Sequence, residues 1–120
     1  MQGGNKLQSI ELARKVVNAI ADKKGSDIVL LDLRSVSLLA DYFVICSGES
    51  ERQVKAILDE ITEKIKGEGV RPLHIEGGSS SGWLLVDYGS VIVHVFLPVV
   101  RDYYQLEKLW RDASVVVRMQ

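Results

Sequence analysis

The sequence predicts a single α/β domain in which helices flank a mixed, five-stranded sheet. Three observations predict it. Apolar residues recur at helical spacing in separate stretches, short β-branched and aromatic runs lie between them, and Gly, Pro and Ser clusters mark the boundaries. At 120 residues, one core suffices, since a chain this long buries roughly two thirds of the surface it exposes when unfolded.

The elements follow in order. Ile10, Ala13, Val16, Val17 and Ile20 share one helical face, and Gly25 follows Lys23 and Lys24 where a helix ends, so a first helix spans about Leu7 to Lys24. Asp27–Leu33 and Tyr42–Cys46 are unbroken apolar runs of the kind found in interior strands. Val54, Ile57, Leu58, Ile61 and Ile65 trace an apolar stripe, with Ser50 and Gln53 at capping-box spacing before it and Gly67 and Gly69 after it. Beyond Pro72, Leu73–Ile75 reads as a brief strand, and Gly77–Gly82 has the composition of a mobile loop. Trp83–Val86 and Val91–Phe96 then form a hairpin across Asp87–Ser90. Pro98 breaks the chain, and from Val99 onward Tyr103, Leu106, Leu109 and Trp110 give a short amphipathic helix. The ordered core therefore covers about 7–113 of a domain spanning 1–120, with 114–120 as a tail. No internal repeat or linker divides it.

Composition narrows the function classes. With 47% hydrophobic and 26% charged residues, the chain matches ordinary globular proteins. Its formal charge of -1 argues against direct nucleic-acid binding, which relies on a basic excess. The single cysteine, Cys46, precludes an internal disulfide, and with no leader-like segment the expected setting is cytoplasmic. Apolar stretches are strand-sized, far short of the ~20 residues of a membrane-spanning helix, so no membrane association is expected.

Candidate chemistry is sparse. Ser47–Ser50 between a strand and a helix could cradle a phosphate, but it reads first as a turn and N-cap, and Glu49 and Glu51 would repel the ligand. Asp32, Asp41 and Asp87 lack the local pairing that holds catalytic metals. His74 and His94 have no zinc-ligand spacing with Cys46, whose place on an apolar strand suggests a buried filler. No metal and no cofactor is expected. Arg101, Tyr103, Tyr104, Glu107 and Trp110 read as a packed aromatic face with a solvated charged one. Trp83 and Tyr88 are large aromatics at a loop exit and a hairpin turn, flanked by Glu76 and Asp87. They either pack or anchor a protein partner, for which Trp and Tyr are enriched.

Three stretches together resemble the ribosomal silencing factor, or Iojap-related, family: Ala40–Gly48, Trp83–Gly89 with Val93–Phe96, and Arg101–Trp110. The resemblance covers nearly the whole chain. It implies a nucleotidyltransferase-like fold without transferase activity, so a non-enzyme. It further implies binding to the large ribosomal subunit through ribosomal protein fourteen, which blocks joining of the small subunit under nutrient limitation. By the same resemblance the partner-contacting residues are Glu76, Gly77, Trp83, Leu84, Asp87 and Tyr88, and free chains self-associate as a homodimer. The loop Gly77–Gly82 is unusually rich in Ser and Gly beside the family pattern, and the segment after Ala113 carries no recognised family motif. The competing reading is a small nucleotide-handling enzyme using Ser47–Ser50 and scattered Asp residues.

Overall fold

The computed structural model describes residues 7–104 and 113–120. The elements are α1 (Ser9–Asp22), β1 (Ser26–Asp32), β2 (Tyr42–Ser47), α2 (Glu51–Lys66), β3 (His74–Gly78), β4 (Trp83–Asp87), β5 (Val91–Phe96), α3 (Pro98–Tyr104) and β6 (Ser114–Met119). Leu106, Leu109 and Trp110, expected on the last helix, lie outside the described residues. Pro98 starts α3 rather than merely ending what precedes it, as suits a residue whose missing N–H is unneeded in a first helical turn.

Helix α2 is the element its sequence specifies best. Val54, Ile57, Ile61 and Ile65 are all fully buried, and the Ser50 hydroxyl accepts the Gln53 backbone N–H at 3.1 Å. The reciprocal half of the expected capping box is displaced by one residue. Gln53 Oε1 accepts from the Glu49 backbone N–H, at 2.6 Å, while Nε2 donates to the carbonyls of Lys23 and Lys24. One side chain thus caps its own helix and ties it to the end of α1.

Among the described residues the sheet has six strands, in the order β3-β4-β5-β2-β1-β6. Only β2 and β5 run parallel, at its centre, and every other pair is antiparallel. The sixth strand corrects the expected five, because the residues read as a tail pair along β1. Their signal was weak for a physical reason. Most of β6 is exposed and only Val117 packs toward the main core, so backbone pairing holds this strand more than burial does.

The segment 77–82 is also more structured than its composition suggests. Gly77 and Gly78 complete β3, and Ser79–Ser81 forms a single 3-10 turn. The Ser81 hydroxyl lies 2.8 and 2.9 Å from the carbonyl oxygens of Gly78 and Trp83, bridging the two ends of the turn. Gly77 is required there. Its φ is +77°, and a Cβ would sit 2.2 Å from the Trp83 carbonyl oxygen, so any side chain would push β3 off β4.

Helices α1 and α2 cover one face of the sheet. Leu30, Val44, Cys46, Val86, Val91, Val93 and Val95 point into that main core. Cys46 is fully buried and its thiol is pushed up to about 12 by desolvation, with the Arg101 charge opposing the shift. Because the folded value exceeds the ordinary 9.0, this thiol's contribution is fully present below pH 9.0 and is lost as pH rises toward 12. Stability should fall across that window by about 1.4 kcal/mol per pH unit from this group alone. Urea titrations of the wild type and Cys46→Ala at pH 8 and pH 10 check it; the variant is expected to lose less stability between the two.

Candidate functional site

The second face of the sheet holds the candidate site, and strand register decides what it presents. Side chains two apart share a face. Trp83, Leu85 and Asp87 on β4 therefore point together, opposite Phe96, His94 and Ile92 on β5. The parallel register adds Phe43 and Ile45 on β2, opposite Ile92 and His94. The antiparallel register adds Glu76 and His74 on β3, opposite Leu85 and Asp87. Toward β1 this face is closed by a second cluster, in which Val29, Leu31, Leu33, Ala40, Ile45, Phe96 and Ala113 are buried and Val100 of α3 is packed against them. Toward β3 it stays open.

At the boundary between closed and open halves stands Trp83. It stacks on Phe96 with ring centroids 5.0 Å apart, and its indole N–H donates to His94 Nδ1 at 3.2 Å. His94 is itself only 4% exposed and meets the Phe43 ring edge-on at 4.7 Å. A nitrogen that accepts an N–H carries no proton, so the contact fixes Nδ1 as the unprotonated atom of this ring. Trp83 is thus held on one side and partly exposed on the other. Together with Glu76, Gly77 and Leu85 it lines a shallow hollow of about 230 Å³. A rigid aromatic beside a hollow suits a protein contact, since little side-chain freedom remains to be lost on binding.

The acidic rim has the expected members. Glu76 is exposed and its carboxylate lies 3.1 Å from His74 Nε2. Asp87 accepts the Gly89 backbone N–H at 2.6 Å, which fixes the hairpin turn.

Two of the six expected contact residues are elsewhere. Leu84 is 2% exposed and Tyr88 8%, both in the core beneath the helices. Leu84 is one residue out of phase with Trp83, so the pleat turns it inward, and Leu85 takes the surface position instead. Leu85, Phe43, Ile92 and His94 are the members that sequence reasoning missed; the alternation from Trp83 to Leu85 to Asp87 was the signal available. Among the described residues the buried Tyr88 hydroxyl has no hydrogen-bond partner, and burial pushes its ionisation up to about 12. A buried, unsatisfied group costs about 1–3 kcal/mol, so Tyr88→Phe is expected to raise stability by about 1 kcal/mol in urea unfolding and to leave the open face unchanged.

The carboxylates weighed for metal chemistry are engaged separately. Asp32 binds Arg34, with Oδ2 2.8 Å from Nη2, and this partner holds its carboxyl below the usual range. Asp41 accepts the Ser9 hydroxyl at 2.8 Å, and Asp87 caps its own turn. Among the described residues, no three His, Cys, Asp or Glu side chains gather as a metal-holding group. At the start of α2, the N–H groups of Glu49 and Gln53 are already bonded to side chains, which leaves fewer donors for a phosphate beside the Glu49 and Glu51 carboxylates. No helix among the described residues is long and apolar enough to cross a membrane.

The family described as "Ribosomal silencing factor during starvation" matches residues 6–120. The chain is 45% identical to the Ribosomal silencing factor RsfS of Halalkalibacterium halodurans over 92% of its length and 94% of the relative's. It is 35% identical to the mouse protein named "Mitochondrial assembly of ribosomal large subunit protein 1" over 79% of this chain and 43% of that one. A crystal structure of a protein from Chromobacterium violaceum superposes with a TM-score of 0.84 at 40% identity, covering 92% of this chain and 94% of the other. The agreement in sequence extends across all of the elements that build the open sheet face, and the chain belongs to the ribosomal silencing factor family.

Proposed function

We propose that this chain is a cytoplasmic translational repressor, and not an enzyme, that docks on the large ribosomal subunit and sterically blocks joining of the small subunit when nutrients are limiting. One observation carries the reading: the half-open sheet face in which Trp83 is braced by Phe96 and His94 beside an unfilled hollow. The family name supports the silencing role, and the large-subunit assembly protein among its relatives supports the choice of subunit.

The partner is ribosomal protein fourteen, reached through Trp83, Glu76, Gly77 and Asp87. Leu84 and Tyr88 serve this contact from behind, by supporting β4 and the hairpin turn. Glu76 and Asp87 favour a basic partner and speed the encounter, while the desolvated aromatic supplies most of the affinity. The same open face gives free chains a surface on which to pair as homodimers. Occlusion needs no catalytic group, and the local engagement of Asp32, Asp41 and Asp87 agrees with that.

Co-sedimentation with isolated subunits tests the choice of target. The chain is expected to pellet with large subunits and to stay in the supernatant with small ones. Pelleting with neither, or equally with both, would remove the basis for this reading.

A further inference from the structure

The helix-covered side of the sheet carries a feature that ribosome docking does not use. Where the start of α1, the turn after α2 and the β4–β5 hairpin meet, there is a cavity of about 370 Å³, with Leu7, Leu12 and Val70 as apolar walls and Glu68, Arg71 and Tyr88 as polar ones. Its size falls within the roughly 300–1,000 Å³ of sites that hold small molecules.

The turn that stops α2 shapes this cavity. Gly69, which also lines it, takes a φ of +83° and donates its N–H to the Lys66 carbonyl at 2.9 Å, and apart from its chain neighbours no atom lies within 4 Å of where its Cβ would stand. Val70 and Arg71 are thereby brought beside the first residues of α1 without the space between being filled. Tyr88 is 8% exposed, and among the described residues its hydroxyl has no hydrogen-bond partner. A buried O–H left unbonded is costly, so a ligand oxygen at this wall recovers a bond that folding leaves unmade. Arg71 is exposed and makes no ion pair among the described residues. Glu68, the one acid among the walls, is paired with Lys15 Nζ at 3.4 Å. The carbonyl of Ser90, at the same rim, accepts the backbone N–H groups of Asp41 and Tyr42. One guanidinium and one buried hydroxyl therefore stay available, beside a carboxylate that is already neutralised.

Donors and apolar walls together select the ligand class. A planar guanidinium matches a carboxylate through two parallel hydrogen bonds, and three aliphatic side chains favour a hydrocarbon body. The geometry points to a small organic monocarboxylate as the ligand, its carboxylate paired with Arg71 and accepting from the Tyr88 hydroxyl, its body against Leu7, Leu12 and Val70. A second anionic group on the ligand would meet Glu68, which disfavours dicarboxylates. The cavity is on the opposite side of the sheet from Trp83, so its ligand binds without entering the docking face.

Isocaproate is titrated into the intact chain by calorimetry, with isocaproamide and acetate at equal ionic strength as references. Saturable heat is expected with isocaproate, whereas the amide, which lacks the charge, and acetate, which lacks the body, should each bind at least about tenfold more weakly. Arg71→Gln and Tyr88→Phe should each weaken isocaproate binding about tenfold or more through loss of a donor to the carboxylate. Neither variant should be less stable than the wild type to urea in ligand-free buffer, because Arg71 is exposed and the Tyr88 hydroxyl has no partner among the described residues to lose. Lost binding in these folded variants supports the site. Absence of saturable heat at millimolar isocaproate, equal affinity for either reference compound, or wild-type affinity in either variant overturns it.

Discussion

Replacing Trp83 with alanine is expected to weaken binding to the large ribosomal subunit by about 2 kcal/mol or more, close to a thirtyfold rise in Kd, with the chain still folded. The size of the effect follows from the setting. Trp83 is the aromatic on the open face whose orientation is fixed twice, by stacking on Phe96 and by the indole N–H bond to His94. It enters the interface with its ordering cost largely met by folding, and truncation leaves a void at the centre of the contact. Titrating labelled protein into purified large subunits measures the loss, with circular dichroism confirming the fold. Tyr88→Phe is the control, because its hydroxyl is buried on the other side of the sheet and should not alter affinity. Wild-type affinity in a folded Trp83→Ala chain would remove Trp83 as an anchor.

The largest effect on stability is expected from Phe96→Ala, at about 3–5 kcal/mol. Phe96 is fully buried and joins the closed half of the second face to the braced Trp83. Against a total of about 5–15 kcal/mol for a small domain, the loss would leave a marginal protein at best. Urea unfolding gives the number. A cost below about 1.5 kcal/mol would resemble a volume-conserving swap and would mean that this face is not packed as a core. The variant also removes the ring beneath Trp83, so the tryptophan fluorescence of the folded state should shift.

Much of this architecture was legible in the residues. The α2 stripe from Val54 to Ile65, the Ser50 cap and the hairpin across Asp87–Ser90 all follow from periodicity and turn chemistry. What escaped the sequence follows a pattern as well. Unbroken apolar runs such as Tyr42–Cys46 announce a strand but conceal which face each side chain serves, because both faces of the sheet centre are buried. Phe43, Ile92 and His94 could not be assigned to the open face until the register was known. Leu84, a contact residue by the family resemblance, points into the core, and Leu85 holds the surface position, because a step of one residue along a strand reverses the face. Tyr88 sits at a turn, where exposure is the usual outcome, yet it folds under the helices. β6 lacked the burial pattern that makes a strand visible. Gly77 needs its missing side chain only because the Trp83 carbonyl lies across from it, a long-range fact that composition presents as a flexible loop.

Occlusion requires more than attachment. Large subunits are incubated with increasing amounts of the chain, small subunits are then added, and joined ribosomes are scored by light scattering. Joined ribosomes are expected to fall in step with occupancy of the large subunit, and Trp83→Ala should shift that dose curve in proportion to its lost affinity. Large subunits saturated with the chain that still join small subunits to the full extent would contradict the account, leaving a protein that docks without silencing.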